Sequence, residues 1–175
     1  MPVSCVKRFV FGGIAVCLLA CPLAARADTQ IVAIGASNTS GFGTGFVQSY
    51  PAQLETMLKA HGYKVQVNNA GIPGDTTGGM LARLDATVPA GTRIVILQPG
   101  GNDHRFGYTN EQRANNIRAI VAKLQKRGIR VIVADNLQRL LAKHSTDGIH
   151  FSAEAHTLIA KRLYPQVAGA LGAGR

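Results

Sequence analysis

Four short runs in this chain are apolar and rich in β-branched residues: Gln30 to Ile34, Lys64 to Val67, Arg93 to Leu97 and Ile129 to Val133. Runs of this length predict strands buried in a sheet. Between them the apolar positions recur at three- and four-residue spacing, the period of a helix with one buried face. The clearest case begins at Thr109, where Thr109 and Gln112 form a capping box, Ile117, Ile120, Val121 and Leu124 make one stripe, and Gly128 stops the helix. A shorter helix after Pro51 carries Leu54, Met57 and Leu58 before Gly62, and another over Gly78 to Val88 carries Leu81, Leu84 and Val88. A last one follows Ser152, with Leu158, Ile159 and Leu163 on one side. Strand and helix alternate throughout, so the expected class is α/β, a parallel sheet covered by helices on both faces.

The first 27 residues do not belong to that pattern. Lys7 and Arg8 precede an apolar run from Phe9 to Leu23, and the segment closes on Ala25-Arg26-Ala27. This reads as a signal peptide over residues 1–27 with a small-x-small cleavage site, because the run falls short of the ~20 residues of a membrane span. The mature domain is then 28–175, and its place is the periplasm or the medium. A retained anchor is the alternative. Leu18-Leu19-Ala20-Cys21 loosely resembles a lipidation site, but Pro22 argues against it. Cys5, Cys17 and Cys21 all fall inside the leader, so the mature domain has no disulfide, thiol nucleophile or cysteine metal site.

The chain has 175 residues, 46% of them hydrophobic, enough for one core. Removing the leader takes away three basic residues and no acid, lowering the formal charge from +10 to +7. A basic exported protein is drawn to anionic surfaces, so peripheral contact with an anionic membrane is an expected partner interaction. Nucleic acid is not, because no aromatic-basic platform or recognition helix accompanies the charge. His61, His144 and His156 have no metal-like partners at helical spacing, so no metal or cofactor is expected. No pattern indicates an oligomeric state.

In a parallel sheet, ligands bind beyond the carboxyl ends of the strands. There lie Gly35-Ala36-Ser37-Asn38-Thr39, Asn69 through Thr76, and Pro99-Gly100-Gly101-Asn102-Asp103. Acyl transfer by a serine needs a placed hydroxyl, a neutral imidazole to take its proton, and donors for the oxyanion. Ser37 follows the first strand at a point where Gly35 permits a sharp turn. Asp147-Gly148-Ile149-His150 lets one loop present a base with a carboxylate for its other ring nitrogen. Gly74 offers an open N–H and Asn102 an amide. Singly these are common turn and cap residues; their order and shared edge make them a candidate site.

This set resembles the SGNH (GDSL) hydrolase family, in particular its small periplasmic acyl-CoA thioesterase I/lysophospholipase L1 members. The usual Gly-Asp-Ser-Leu corresponds to Gly35-Ala36-Ser37-Asn38, the second block to Asn69 through Thr76, Gly-x-Asn-Asp to Gly100 through Asp103, and Asp-x-x-His to Asp147 through His150. The resemblance implies a three-layer α/β/α sandwich of flavodoxin-like kind. It implies Ser37 as nucleophile, His150 as base, Asp147 as its orienting acid, and Ser37, Gly74 and Asn102 as oxyanion donors. The implied substrates are acyl esters or thioesters, lysophospholipids and acylated glycans among them.

Two departures matter. Ala36 and Asn38 replace the usual aspartate and leucine, so another polar group must steady the nucleophile loop; Asn38, Thr39 and Asp75 are the best placed. Only 13 residues, Ala134 to Thr146, separate the fourth strand from Asp147, which predicts four strands rather than five. Arg105, Arg113 and Arg118 would favour anionic head groups if they gather at the pocket rim. His104 reads as a solvent-facing loop residue, and Asp75 and Asp103 as loop ties. Carbohydrate O-deacetylation, acetyl transfer, and a binding protein without turnover are the competing functions.

Overall fold

The computed structural model describes residues 28–135, 137, 144–145 and 147–172. The leader assigned to residues 1–27 lies outside them. Strands β1 (Thr29–Gly35), β2 (Val65–Gly71), β3 (Thr92–Gln98) and β4 (Arg130–Val133) form one parallel sheet in the order β2-β1-β3-β4. The predicted four-stranded flavodoxin-like arrangement is thus present. Helices α1 (Ser37–Ser40), α2 (Tyr50–Ala60), α3 (Thr77–Ala82), α4 (Leu84–Thr87), α5 (Asn102–Arg105), α6 (Asn110–Lys126) and α7 (Ala153–Gly172) complete the order, with a 3-10 turn at Phe46–Gln48.

The strand period of two divides the core. Ile31, Ala33, Ile94 and Ile96 point to one side, where they meet Tyr50, Leu54 and Leu58 of α2 and Ile159, Leu163 and Val167 of α7. Val32, Ile34, Val95 and Leu97 point to the other, against Met80, Leu84, Ile120 and Leu124. Both faces are covered, as a parallel sheet requires. The capping box at α6 forms in full, with Gln112 N–H donating to Thr109 Oγ1 at 3.1 Å and Thr109 N–H to Gln112 Oε1 at 2.8 Å.

Three local expectations change. Strand β2 runs on through Asn68 and Asn69 to Gly71, paired with β1 along its length. Its polar residues hide it from a hydrophobic pattern, yet their amides are satisfied, Asn68 by Gln30 Oε1 at 3.0 Å and Asn69 by Thr39 O at 2.8 Å. The helix expected over Gly78 to Val88 is two short helices that meet at Arg83. Gly35 serves close approach rather than a turn: a Cβ there would lie 2.1 Å from Thr39 Oγ1 and 2.9 Å from Gln98 O.

Candidate active site

The chain adds β2 on one side of β1 and β3 on the other, so the crevice at the carboxyl end of the sheet opens between β1 and β3. A cavity of about 230 Å³ occurs at this edge. Ser37 and Asn38 line it from beyond β1, Gly101 and Asn102 from beyond β3, Ala134 from beyond β4, and Ile149 from the loop before α7.

Ser37 begins α1 and is nearly buried, at 9% exposure. Its turn closes on itself, with Thr39 N–H and Ser40 N–H both donating to Ala36 O at 3.0 Å. Beneath it, Thr39 Oγ1 donates to Gln98 Oε1 at 3.1 Å and lies 3.2 Å from the Tyr50 hydroxyl. Burial keeps that phenol protonated well above the usual tyrosine range. Arg83 reaches from the break between α3 and α4 and donates to Ala70 O at 2.8 Å and Gly35 O at 3.2 Å. Its Nε is held by Asp75 Oδ2 at 2.8 Å.

The base and its acid come from one turn. Asp147 Oδ1 accepts from Ile149 N–H at 2.9 Å and His150 N–H at 2.7 Å, while Gly148 takes φ +72°, which suits glycine. His150 Nδ1 then meets Asp147 Oδ2 at 2.6 Å. The backbone N–H of His150, its ring and the Ile149 N–H together hold the Asp147 carboxyl well below the usual carboxylate range. An ionised Asp147 assigns the Nδ1–H tautomer to a neutral ring, leaving the Nε2 lone pair to accept a proton. Phe42 lies against the ring, with centroids 4.7 Å apart.

The structure unites Asp147 with His150, and places Ser37 and Asn102 around one cavity. Among the described residues it makes no hydrogen bond between Ser37 Oγ and His150 Nε2, a contact that free enzymes commonly complete only around substrate. Asn102 Nδ2 donates one hydrogen to Asp75 O at 2.9 Å, leaving the second for a ligand. Gly74 stands at φ +81° in the turn just before Asp75 and does not line the cavity. Asp103 is a loop tie, fully buried and accepting from Thr77 N–H at 3.2 Å and from the Thr77 hydroxyl. Of the three arginines, Arg105 lines the cavity, Arg113 turns to Gly100 O and Asp135, and Arg118 to Asn115.

Sequence reasoning missed Arg83, Gln98 and Phe42. Arg83 had one available signal, a long cation between the buried Met80 and Leu84 of an apolar helical pattern. No group of three or more potential metal ligands gathers among the described residues.

Sheet order, crevice and the Asp147–His150 pair define an α/β protein with a candidate acyl-transfer site at its carboxyl edge. The chain belongs to the GDSL-like Lipase/Acylhydrolase family, whose profile matches residues 33–144. It is 34% identical over 113 residues to esterase TesA of Pseudomonas aeruginosa, covering 62% of this chain and 54% of that protein. To an arylesterase of Vibrio mimicus it is 30% identical over 111 residues, covering 63% and 56%. The chain thus spans about half the length of the curated relatives it matches. Among solved structures it resembles AlinE4, an SGNH-hydrolase family esterase, at 35% identity and TM-score 0.57 over 61% of this chain and 58% of that one. A TesA crystal structure, at 22% identity, shares the fold with TM-score 0.71 over 81% and 99%.

Proposed function

We propose that this chain is an exported serine hydrolase that cleaves carboxylic esters or thioesters through an acyl-enzyme on Ser37. The observation that carries the reading is the Asp147–His150 pair at 2.6 Å, on a loop whose neighbouring residues line the same cavity as Ser37. Ser37 Oγ attacks the acyl carbonyl while His150 Nε2 takes its proton; the ionised Asp147 stabilises the resulting imidazolium. The Ser37 N–H and the free hydrogen of the Asn102 amide, both at the cavity wall, receive the oxyanion, and the Gly74 N–H joins them only if its turn moves toward the cavity on substrate binding. The imidazolium then protonates the leaving alcohol or thiol. Water, activated by the same imidazole, releases the acid and restores Ser37.

A cavity of about 230 Å³ suits a small acyl group, with the leaving group outside. Arg105 at its wall has no ion pair among the described residues and favours a leaving group bearing an anion, such as the phosphate of a lysophospholipid. Deacetylation of a glycan, or acetyl transfer to one, is the second reading, favoured by the same small cavity. Export rests on residues 1–27, and the basic charge of the mature domain supports peripheral contact with anionic membranes. Among the described residues no helix is long and apolar enough to cross a membrane.

Fluorophosphonate labelling and hydrolysis of p-nitrophenyl esters of increasing chain length test the reading. Ser37→Ala should abolish labelling and turnover while the fold persists. A folded Ser37→Ala protein that hydrolyses p-nitrophenyl acetate at the parent rate refutes it; a parent that neither labels nor turns over is a binding protein.

A further inference from the structure

Asn38 directly follows Ser37, and its carboxamide crosses to the loop that carries His150. Nδ2 donates to Ile149 O at 3.1 Å, and Oδ1 accepts from Phe151 N–H at 2.9 Å. Ile149 and Phe151 are the residues on either side of His150. The residue after the candidate nucleophile thus grips both neighbours of the candidate base. The two bonds fix the amide's orientation, because a flipped carboxamide would set donor against donor and acceptor against acceptor.

No other hydrogen bond joins residues 36–45 to residues 147–151 among the described residues. The base loop has its own support in the Asp147 turn, and Ser152 N–H donates to His144 O at 2.8 Å. Those contacts shape the loop without setting its distance from Ser37. The Phe42 ring touches His150, but Phe42 is 52% exposed and a ring contact lacks the direction of a hydrogen bond.

We propose that Asn38 is a positioning residue which clamps the His150 loop to the Ser37 loop and so sets the reach from Nε2 to Oγ. The proposal rests on the serine-hydrolase reading. Its physical basis is that a misplacement of ~1 Å between reacting groups costs on the order of 100-fold in rate. Leucine is close to asparagine in size and branching and can make neither bond, so Asn38→Leu removes the clamp with little change of shape.

Turnover and exchange are measured on the mature chain for the parent, Asn38→Leu and Asn38→Ser, the serine serving if leucine does not fold. Loss of the clamp should lower kcat by ~10- to 100-fold with KM changed less than about twofold. Phe151 N–H should exchange faster with solvent, while the melting temperature moves by no more than a few degrees. Unchanged exchange at Phe151 overturns the clamp. Faster exchange with unchanged kcat overturns the positioning role. A loss of kcat matched by a large loss of melting temperature in both variants makes Asn38 merely structural and overturns it too. A parent without labelling or turnover refutes the hydrolase reading instead, and exchange at Phe151 still reports whether the clamp exists.

Discussion

His156 lies wholly inside the protein, and its ring should make stability depend on pH. Nδ1 accepts from Tyr50 N–H at 3.2 Å, which puts the ring proton on Nε2, where no partner meets it. Adding a second proton would break the Tyr50 bond and bury a charge between Tyr50 and Phe151, the aromatic rings closest to it. Burial accordingly pushes the imidazole from 6.5 down to about 4. The native state stays neutral at pH values where the unfolded chain takes up a proton. The stability that His156 contributes is therefore complete above pH 6.5, is lost as pH drops through the window from 6.5 to about 4, and changes no further below it. At 1.36 kcal/mol per unit the full loss is roughly 3 kcal/mol, of which about 2 appears between pH 7.5 and 5. For a domain of this size that is a fall in melting temperature of roughly 4–8 °C. Urea unfolding at pH 7.5, 6.5, 5.5 and 5.0 would measure it on the parent and on His156→Asn, whose Oδ1 can accept from Tyr50 N–H but cannot titrate. The variant should start less stable and lose about 2 kcal/mol less across the window. If both proteins lose the same amount, His156 is not the titrating group and another residue sets the pH dependence.

Two further substitutions probe the cavity. Asn102→Ala should lower kcat by ~100-fold or more with little change in KM, since an oxyanion donor acts on the barrier; a rise in KM alone would make Asn102 a ground-state contact. Arg105→Ala should raise KM for an anionic lysophospholipid by up to about fivefold, the scale of a solvent-exposed ion pair. Its KM for p-nitrophenyl butyrate should not move, and an equal change for both substrates would remove Arg105 from head-group selection.

Much of this architecture could be read before the structure because it is written in local patterns. The capping box at Thr109 is a four-residue relation, and the Asp147–His150 turn closes within four residues. The four strands show as apolar runs, and their alternation with helices selects a parallel sheet. What escaped notice is non-local. Asn38 meets residues 111 and 113 positions away, and His156 meets Tyr50 across 106, separations that leave no periodic trace. The polar half of β2 escaped for a related reason, since its asparagines belong to a strand only because Gln30 and Thr39 satisfy them. Polarity and position in the sequence point to Asn38, Thr39 and Asp75 as the residues that steady the loop. All three are engaged around it, but no sequence pattern assigns their partners or brings in Arg83.

Those engagements restrain the candidate nucleophile turn without an acid at position 36. Ala36 is 3% exposed and belongs to the apolar cluster with Val32, Ile34 and Met80, so a carboxylate there would need partners of its own to offset its desolvation. The restraint comes instead from three directions. Arg83, itself fixed by Asp75, holds the carbonyls of Gly35 and Ala70 where the β1–β2 ladder ends. Thr39 ties α1 downward to Gln98 and Tyr50, a fit that the bare Cα of Gly35 makes possible. Asn38 ties it sideways to the base loop. The first two anchor the turn to the sheet and its helices, contacts that stabilise the fold as a whole. Only the third spans from candidate nucleophile to candidate base. Loss of Arg83 or Thr39 should therefore act first on stability, whereas loss of Asn38 should act on the geometry of the proposed proton transfer, and the two kinds of restraint can be separated by measuring melting temperature and kcat on the same variants.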